Sequence, residues 1–584
     1  MIFSEKCRLR RTPPGLSGLC ISALLALGLT GVQAHAAEAI VHDAEYYILE
    51  SQNGERWAAE DKELDKKLAA LEKKYGQPPN IVYILWDDQQ VGAVGNAMIQ
   101  KNLGYTTPNI NKMAAEGINF TRMYSEPACT PTRAAFLTGR HPVRNGMAVV
   151  GMPHEFAGLA AEEVTIAEVL SEAGYATAHY GKGHLGDIEE SYLHNQGFDE
   201  ALFTPMNQIP SLYNPQGEAV NAVLGLHPEL YPPDPYRLDS IGLVPAGWVM
   251  NIEGKKGEMG KEFCGISNEC YDEIDNQSEK RTLAFIRKNA KAKKPFFVEY
   301  WPNWLNFMAP EIPKLTLNGG KIPGSYVRLD AFVGQVMETL KKQGIAENTI
   351  IVAMADNGPM SHSPPPGWAM TEIMYRGGKG DFLEGGVRVP AIAWWPGVIE
   401  KGQLVGDIIH VTDLYTTFAR LAGATKHIPT DRIIDGLDQT ALLLNGDAHG
   451  RRDYVFIYSG NELGATVKGR YKRHWMGASG GAGIPLAYYD LYQDPHEKNP
   501  HLIPLIHTQG QFNRMVARHE LFKKKYPDKP NAKGIPYTGL SNARPETRAI
   551  GERIKTYMKN MPFDIKEYLE HDIPGSDSVG DWGS

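Results

Sequence analysis

Short runs of apolar, often β-branched residues alternate with amphipathic helical patterns through the middle of the chain. Five such runs predict buried strands: NIVYILW, YATAHYG, PFFVEYW, NTIIVAMA and VPAIAWW. Helical spacing between them predicts helices over TPNINKMAAEG, TIAEVLSEAG, EKRTLAFIRKNA and SYVRLDAFVGQVMETLKKQG. Strands that alternate with helices build a large, mainly parallel sheet covered by helices on both faces, so the predicted fold class is α/β.

The pattern changes along the chain and divides it into segments. A charged amphipathic helix is predicted over residues 55 to 75, ahead of the main sheet. Residues from about 200 to 280 are irregular and rich in Pro, Asn and Gly, as in an insertion that shapes a substrate pocket. The predicted segments are a signal peptide (1–36), an N-terminal helical extension (37–78), a catalytic domain (79–430), a smaller C-terminal α+β domain with an antiparallel sheet (431–500) and a polar tail (501–584).

The N-terminal segment has the features of an export signal. Lys6, Arg8 and two further arginines precede the apolar run GLCISALLALGL, and VQAHAAEA offers a cleavage site after Ala36. The apolar run is short for a spanning helix, so an uncleaved membrane anchor is the less favoured alternative. We therefore expect a secreted, periplasmic protein without stable membrane insertion. The net charge of −8 gives no reason to expect a nucleic-acid partner.

Cysteine use fits an oxidising compartment. Of the five cysteines, Cys7 and Cys20 lie in the predicted signal peptide. Cys264 and Cys270, close together in CGISNEC, predict a small-loop disulfide, with two free thiols as the alternative. Cys129 is then left without a partner, which is unusual for an exported protein and points to a reactive or modified thiol.

Polar side chains follow three of the predicted strands directly. They are Asp87 and Asp88 after the first run, Lys182 and His184 in GKGHLG after the second, and Asp356 with Asn357 after the fourth. The carboxyl ends of parallel strands meet at one edge of a sheet, where ligands bind. The carboxylate and amide oxygens favour a hard divalent cation, Ca²⁺ or Mg²⁺, over zinc. Each motif alone is also typical of a solvated turn.

Two glycine-rich loops and one helix start carry further candidate chemistry. Lys182 in GKGHLG and Lys379 in RGGKGDFLEGG place mobile ammonium groups where the backbone can approach a tetrahedral oxyanion, although a solvated surface loop is the simpler interpretation. Cys129 begins a helical run, with Arg133 close by, which favours a reactive thiolate. No partner histidine and asparagine arranged as in a cysteine protease accompany it. A soft thiolate beside a hard cation is also chemically mismatched, so the residues alone leave the role of Cys129 open.

Together these motifs resemble the type I sulfatases of the alkaline-phosphatase-like superfamily. CTPTR matches the C-x-P-x-R signature of that family, and the TGR that follows matches its extended form. NIVYILWDD, GKGHLG, the DNG after a strand, GGKGDFLEGGVRVP and YDLYQDPHEKN occur in the family's order. The resemblance covers roughly residues 79 to 500.

The resemblance implies a mechanism. A dedicated maturation enzyme would oxidise Cys129 to Cα-formylglycine, whose hydrated gem-diol attacks the sulfur of a sulfate ester. The ester would be a small-molecule or saccharide sulfate. The implied metal ligands, which hold Ca²⁺ with Mg²⁺ as the alternative, are Asp87, Asp88, Asp356, Asn357 and the modified Cys129. The implied catalytic and substrate-binding residues are Arg133, Lys182, His184 and Lys379.

The chain departs from the family pattern at two points. Gly183 replaces a tryptophan, and Asn306 occupies the place of a histidine that contacts the ester oxygen as the candidate general acid. An amide donates a hydrogen bond but cannot deliver a proton. His362 is a candidate substitute, with a surface histidine as the simpler interpretation. If Lys379 alone protonates the leaving oxygen, the enzyme would favour aryl sulfates, whose alcohols leave easily.

Two other functions remain open on the sequence. A phosphonate monoester or phosphodiester hydrolase of the same superfamily would use the same signature and metal ligands. A catalytically weakened sulfate-binding protein is supported only by Asn306, and the intact signature, both lysines and all four oxygen ligands oppose it.

Overall fold

The structure is a computed structural model that describes most of the chain from residue 39 onward. The described ranges are 39–151, 157–206, 251–264, 268–303, 321–359, 374–477, 486–501 and 506–545, with 547–549, 552, 555 and 556. The predicted signal peptide, residues 1–36, lies outside them. Within these ranges, no helix is both long and apolar enough to cross a membrane.

The helices and strands are numbered in chain order. The helices are α1 (Ala44–Tyr75), α2 (Ala97–Leu103), α3 (Pro108–Ala115), α4 (Cys129–Thr138), α5 (Ile166–Glu172), α6 (Asn268–Ala292), α7 (Lys321–Lys342), α8 (Glu384–Val387), α9 (Asp413–Leu421), α10 (Thr440–Asn445) and α11 (Ile506–Lys525). The strands are β1 (Asn80–Trp86), β2 (Ile118–Tyr124), β3 (Ala157–Gly158), β4 (Ala176–Lys182), β5 (Glu200–Thr204), β6 (Asn251–Lys255), β7 (Lys261–Cys264), β8 (Phe296–Trp301), β9 (Thr349–Ala355), β10 (Arg388–Trp394), β11 (Gln403–Val405), β12 (Ile409–His410), β13 (Tyr454–Ser459), β14 (Glu462–Lys468), β15 (Tyr471–His474), β16 (Tyr488–Asp490) and β17 (Ala532–Lys533).

One large mixed sheet dominates the fold. Its strand order is β11-β2-β10-β9-β1-β8-β4-β5-β6-β7, and β12 pairs with β2 beside β11. The central strands β9, β1, β8, β4 and β5 run parallel, whereas β10, β6 and β7 pair antiparallel with their neighbours. All five strands predicted from apolar runs are present in this sheet, and the predicted α/β class is confirmed.

Helices cover both faces of the sheet, as the alternation predicted. Along β1, Tyr83 and its alternate neighbours pack with α4, α5 and α9, where Phe136 and Phe418 lie. Ile84 and the residues on the opposite face pack with α3, α6 and α7, where Phe332 lies. Every residue of β1 is buried, as expected for a strand with both faces covered.

The region predicted as an irregular insertion is partly regular. β5 and the hairpin β6–β7 continue the large sheet, and α6 already begins at Asn268, so the prediction for residues 200 to 280 is wrong at both ends. Residues 207–250 lie outside the described part of the chain.

At the end of β7, Cys264 is disulfide-bonded, whereas the side chain of Cys270, its predicted partner, is not described. Cys129 is a buried free thiol.

Both ends of the described chain contain more helix than predicted. α1 begins at Ala44, well before residue 55, and α11 occupies part of the tail that was predicted only as polar. Leu49 and Trp57 of α1 pack with Phe512 and Met515 of α11 in one cluster. Widely spaced apolar residues gave a weak helical signal in the sequence, but the two helices bury them against each other.

The small sheet β13-β14-β15-β16 is entirely antiparallel, which confirms the predicted C-terminal sheet. A buried ionic network joins it to α8, the short helix before β10. Lys472 Nζ lies 3.1 Å from Glu384 Oε1 and 3.0 Å from Glu497 Oε1. The Glu384 amide donates to Glu497 Oε2 (2.7 Å), and His474 Nε2 lies 2.8 Å from Glu497 Oε1. Burial alone would raise the pKa of Glu497, but Lys472 and His474 outweigh it and lower the pKa to about 2.

We expect Glu497→Gln to weaken the pH dependence of the free energy of unfolding below pH 4.5. The pKa of a glutamate is 4.5 when unperturbed and about 2 here, so the stabilisation is present above pH 4.5 and is lost as pH falls towards 2. The variant should be less stable than the wild type at neutral pH. Below pH 4.5 its free energy of unfolding should fall less steeply with decreasing pH, and the difference in slope corresponds to at most one bound proton. Thermal unfolding measured across this range tests both effects.

Glu462→Gln is the matched control, because Glu462 is exposed on the same sheet. It should leave both the stability and its pH dependence unchanged. A Glu497→Gln protein with the wild-type acid profile would contradict the ionic role of this network.

Candidate active site

Two pairs of oxygen donors lie side by side at the carboxyl edge of the large sheet. Asp87 and Asp88 follow β1, Asp356 and Asn357 follow β9, and the two strands are parallel neighbours in which Trp86 pairs with Ala355. The Asp88 amide donates to Asp356 Oδ1 (3.0 Å), and Asn357 Nδ2 donates to Asp88 Oδ1 (2.7 Å). The four side chains, predicted from two separate patterns, therefore form one buried group.

The backbone bends sharply where β1 delivers its aspartates. Asp88 has φ of 51°, in the left-handed region that few non-glycine residues adopt. This conformation turns the chain away from the sheet directly after Asp87. A strained backbone at a cluster of polar side chains is typical of a functional site, where the surrounding contacts maintain it.

Cys129 lies at the first position of α4, fully buried. One turn further along α4, Arg133 donates to Asp87 Oδ1 (3.0 Å), Asp356 Oδ2 (2.8 Å) and the carbonyl of Lys182 (3.0 Å). Its guanidinium also lies over the Trp301 ring, 5.0 Å from the ring centre. One arginine thus connects the helix that carries Cys129 with strands β1, β4 and β9.

Thr132 is a positioning residue that sequence reasoning missed. Its hydroxyl donates to the carbonyl of Asp356 (2.6 Å) and lies 3.1 Å from both the amide and the carbonyl of Glu126. The threonine thereby ties the loop before Cys129 to the acidic group. Only its place inside CTPTR marked it in the sequence.

Both predicted lysines contact the acidic group. Lys182 Nζ donates to Asp87 Oδ1 (2.8 Å), and Lys379 Nζ lies 2.8 Å and 3.1 Å from the two oxygens of Asp88. Burial would raise the pKa of Asp87, but Lys182, Lys379 and Arg133 hold it below its ordinary value. Burial would lower the pKa of Lys379, but Asp88 and the other nearby negative charges raise it well above its ordinary value, so the ammonium stays charged.

His184 lies beside these lysines in its neutral form. Its Nε2 is 2.8 Å from the carbonyl of Gly151, and its buried Nδ1 has no hydrogen-bond partner among the described residues. Burial, together with the positive charge of Lys182, lowers the pKa of the ring well below its ordinary value. A neutral imidazole with one unoccupied nitrogen is able to accept a proton from a bound group.

The donor set fits a hard divalent cation. Carboxylate oxygens of Asp87, Asp88 and Asp356 lie within 4.8 Å of one another, all buried. Asp87 Oδ2 and Asn357 Oδ1 are buried without a hydrogen bond from any described residue. Burial and the nearby Asp87 raise the pKa of Asp356 well above its ordinary value, a repulsion that a dication would offset.

Two further amides border the acidic group. Gln89 and Gln90 follow Asp88 directly, and the side-chain nitrogen and oxygen of each are buried without a partner among the described residues. Sequence reasoning missed both, although their position after the aspartates was visible. Asn306 and His362, which were predicted near the leaving oxygen, lie outside the described ranges.

Solved structures share this architecture. The PsFucS1 sulfatase from Pseudoalteromonas sp. has a TM-score of 0.71 and 31% sequence identity, over 81% of this chain and 96% of its own. Ps i-CgsB in complex with k-i-k-neocarrahexaose has a TM-score of 0.56 at 22% identity, over 85% of this chain and 100% of its own. At that identity the second likeness is evidence for the fold alone.

Curated relatives and a family model extend the likeness to sequence. Arylsulfatase A of Homo sapiens is 34% identical over 453 residues, covering 72% of this chain and 83% of its own length. Steryl-sulfatase of Rattus norvegicus is 32% identical over 441 residues, covering 67% and 75%. The family model described as Sulfatase matches residues 79–303 and 322–424, which include the whole acidic group, Cys129 and both lysines. The chain therefore belongs to the sulfatase family and is a sulfuric ester hydrolase.

Proposed function

We propose that this sulfatase hydrolyses sulfate monoesters with a Cα-formylglycine made from Cys129. The observation that carries the proposal is the placement of a free, buried Cys129 at the start of α4, one turn from the arginine that contacts Asp87 and Asp356. A thiolate would be a soft nucleophile beside a hard oxygen-ligand site, whereas a hydrated aldehyde supplies an oxygen nucleophile that suits it. The partner that this requires is a formylglycine-generating maturation enzyme.

The residues around Cys129 would bind the sulfate, hold the modified side chain and accept the diol proton. Lys182 and Lys379 would bind the sulfate oxygens, because both ammonium groups already lie at the acidic group that the sulfate would approach. Arg133 would hold the modified side chain and the metal-binding carboxylates in fixed positions relative to each other. His184, neutral and with Nδ1 unoccupied, would accept the diol proton as sulfate leaves and the aldehyde re-forms.

We assign Ca²⁺ to the acidic group by its likeness to the family, with Mg²⁺ as the alternative. Asp87, Asp88, Asp356 and Asn357 would hold it through oxygen atoms, with the modified Cys129 completing the set. When bound, the cation polarises the sulfate and lowers the pKa of the diol. It would also take over the charge compensation of Asp87 and Asp88, so that Lys182 and Lys379 become available to the substrate.

Aryl sulfates are the substrate class that we propose. Asn306 cannot protonate the leaving oxygen, so protonation would depend on Lys379, and phenols leave more easily than alkyl alcohols. A saccharide sulfate is the second candidate, since the N-acetylgalactosamine-6-sulfatase of Rattus norvegicus is 32% identical over 68% of this chain and 71% of its own length. Export to the periplasm, as the N-terminal signal predicts, would expose the enzyme to either class.

Mass spectrometry of the peptide that contains Cys129 tests the modification. In protein made in its native host, we expect the peptide to have a lower mass than the thiol form and to react with an aldehyde reagent. The same chain made without the maturation enzyme is the control and should carry the thiol and lack activity. A fully active enzyme with an intact thiol would contradict the proposal.

Metal removal tests the acidic group. Chelation should abolish activity, and added Ca²⁺ should restore it. Asp88→Asn should bind Ca²⁺ more than about 100-fold more weakly than the wild type, because residues that only hydrogen-bond to metal ligands already change metal affinity by about 10- to 100-fold. Calcium affinity measured by calorimetry gives a readout independent of activity. Asp65→Asn, at an exposed ion pair on α1, is the matched control and should bind Ca²⁺ as the wild type does. Equal affinity in the wild type and Asp88→Asn would contradict the assignment.

The leaving group tests the role of Asn306. Alkyl sulfates should turn over about 10² to 10⁴ times more slowly than p-nitrophenyl sulfate, the usual contribution of a general acid. Asn306→His should raise turnover of the alkyl sulfate and change that of the aryl sulfate little. Equal turnover of both esters by the wild type would argue against the aryl preference, and faster hydrolysis of phenyl phosphonate than of the sulfate would favour the phosphonate alternative.

A further inference from the structure

A second group of potential metal ligands includes a residue of the loop that leads to Cys129. It consists of Glu126, His141 and His410, whose ligand atoms all lie within 4.8 Å of one another. Each residue is at most 1% exposed. The proposed sulfatase mechanism uses none of the three side chains.

The three residues come from separate parts of the chain. Glu126 lies in the loop between β2 and α4, His141 follows the end of α4, and His410 ends β12. Both histidines direct a ring nitrogen at the same carboxylate oxygen: His141 Nδ1 lies 2.7 Å and His410 Nε2 lies 3.7 Å from Glu126 Oε1. The two rings are 5.0 Å apart between their centres.

One ring nitrogen of His410 lacks a hydrogen-bond partner among the described residues. Its Nε2 is buried and forms no hydrogen bond with any described residue. Its Nδ1 lies 2.9 Å from the Thr412 hydroxyl and accepts a longer hydrogen bond from the Thr412 amide (3.3 Å). With Nδ1 accepting from that amide, the proton of the neutral ring lies on Nε2 and faces Glu126. A cation bound at Nε2 would shift the proton to Nδ1, where the Thr412 hydroxyl can accept it as an outer hydrogen-bond partner.

The distances suit an inserted cation. Ligands about 2.0–2.2 Å from a tetrahedral zinc ion lie somewhat more than 3 Å from each other. The two nitrogen–oxygen distances here, 2.7 Å and 3.7 Å, fall on either side of that value. Shifts of about half an ångström would therefore complete three bonds and would satisfy the unoccupied nitrogen of His410.

The charges around the cluster also favour a cation. Asp435 accepts from the His141 amide and Asp413 from the His410 amide, and these aspartates pair with Arg144 and Arg452. Among the described residues of this network, the carboxylate of Glu126 has no arginine or lysine partner. The His141 ring, 2.7 Å from Glu126 Oε1, is the nearest group to that carboxylate.

We propose that Glu126, His141 and His410 form a zinc site, separate from the calcium site assigned to Asp87, Asp88, Asp356 and Asn357. Two imidazoles and one carboxylate are a zinc donor set that leaves the fourth tetrahedral position to water, and it is softer than the oxygen set at the strand ends. The bound ion would fasten the loop before Cys129, because the backbone of Glu126 is already held by Thr132. Its role is to position that loop, and it takes no part in the reaction.

Zinc retention tests the site in the full-length enzyme. Protein saturated with Ca²⁺ is titrated with Zn²⁺, passed through a gel-filtration column and analysed for metal by mass spectrometry. We expect about one zinc per chain in the wild type and in Asp88→Asn, and close to none in His410→Gln. Thr412→Val, which removes only the outer hydrogen bond, should bind zinc about 10- to 100-fold more weakly.

His449→Gln is the matched control, since His449 lies 3.1 Å from Glu60 in a partly buried ion pair without a second histidine. It should retain zinc as the wild type does. If His410→Gln fails to fold, X-ray absorption on the zinc-loaded wild type decides the matter, with nitrogen neighbours of the imidazole type expected near 2.0–2.1 Å. A wild type that retains no zinc, equal retention by His410→Gln, or an all-oxygen shell would each overturn the proposal.

Discussion

Three buried carboxylates need positive charges beside them, and this requirement determines the arrangement of the candidate active site. Asp87, Asp88 and Asp356 lie within 4.8 Å of one another with almost no exposure to water. An uncompensated charge in such a place costs several kcal/mol, so the fold must bring cations to it. Arg133 supplies one from the helix that starts with Cys129, and β4 and the loop before α8 each supply a lysine. The position of Cys129 is therefore tied to the electrostatics of the sheet edge.

The sequence predicted this part of the molecule well because its signals are local. Apolar runs of six to eight residues located the central strands, and polar residues placed directly after them were bound to meet at one sheet edge. Glycine-rich loops then located Lys182 and Lys379. The roles of these residues came from the resemblance to the sulfatases, since composition and spacing alone left Cys129 without a chemical role.

Features that depend on distant contacts were not predictable in this way. The hairpin β6–β7 joins the sheet through pairing with β5, and α11 exists because Phe512 and Met515 pack against α1. The cluster of Glu126, His141 and His410 combines residues that are 284 positions apart in the chain. Neither histidine belongs to a motif, and each alone has the sequence appearance of an ordinary core residue.

The burial of Cys129 sets a time limit on its processing. Its side chain is inaccessible once the fold is complete, so the modification that we propose would have to precede folding. The loop that carries Lys379 leads into Glu384, which contacts Lys472 and Glu497 far along the chain. At about 5–20 residues per second, a ribosome needs on the order of tens of seconds to make the chain from Cys129 to Glu497. Under the proposed modification, the maturation enzyme would act within this interval, before those contacts form.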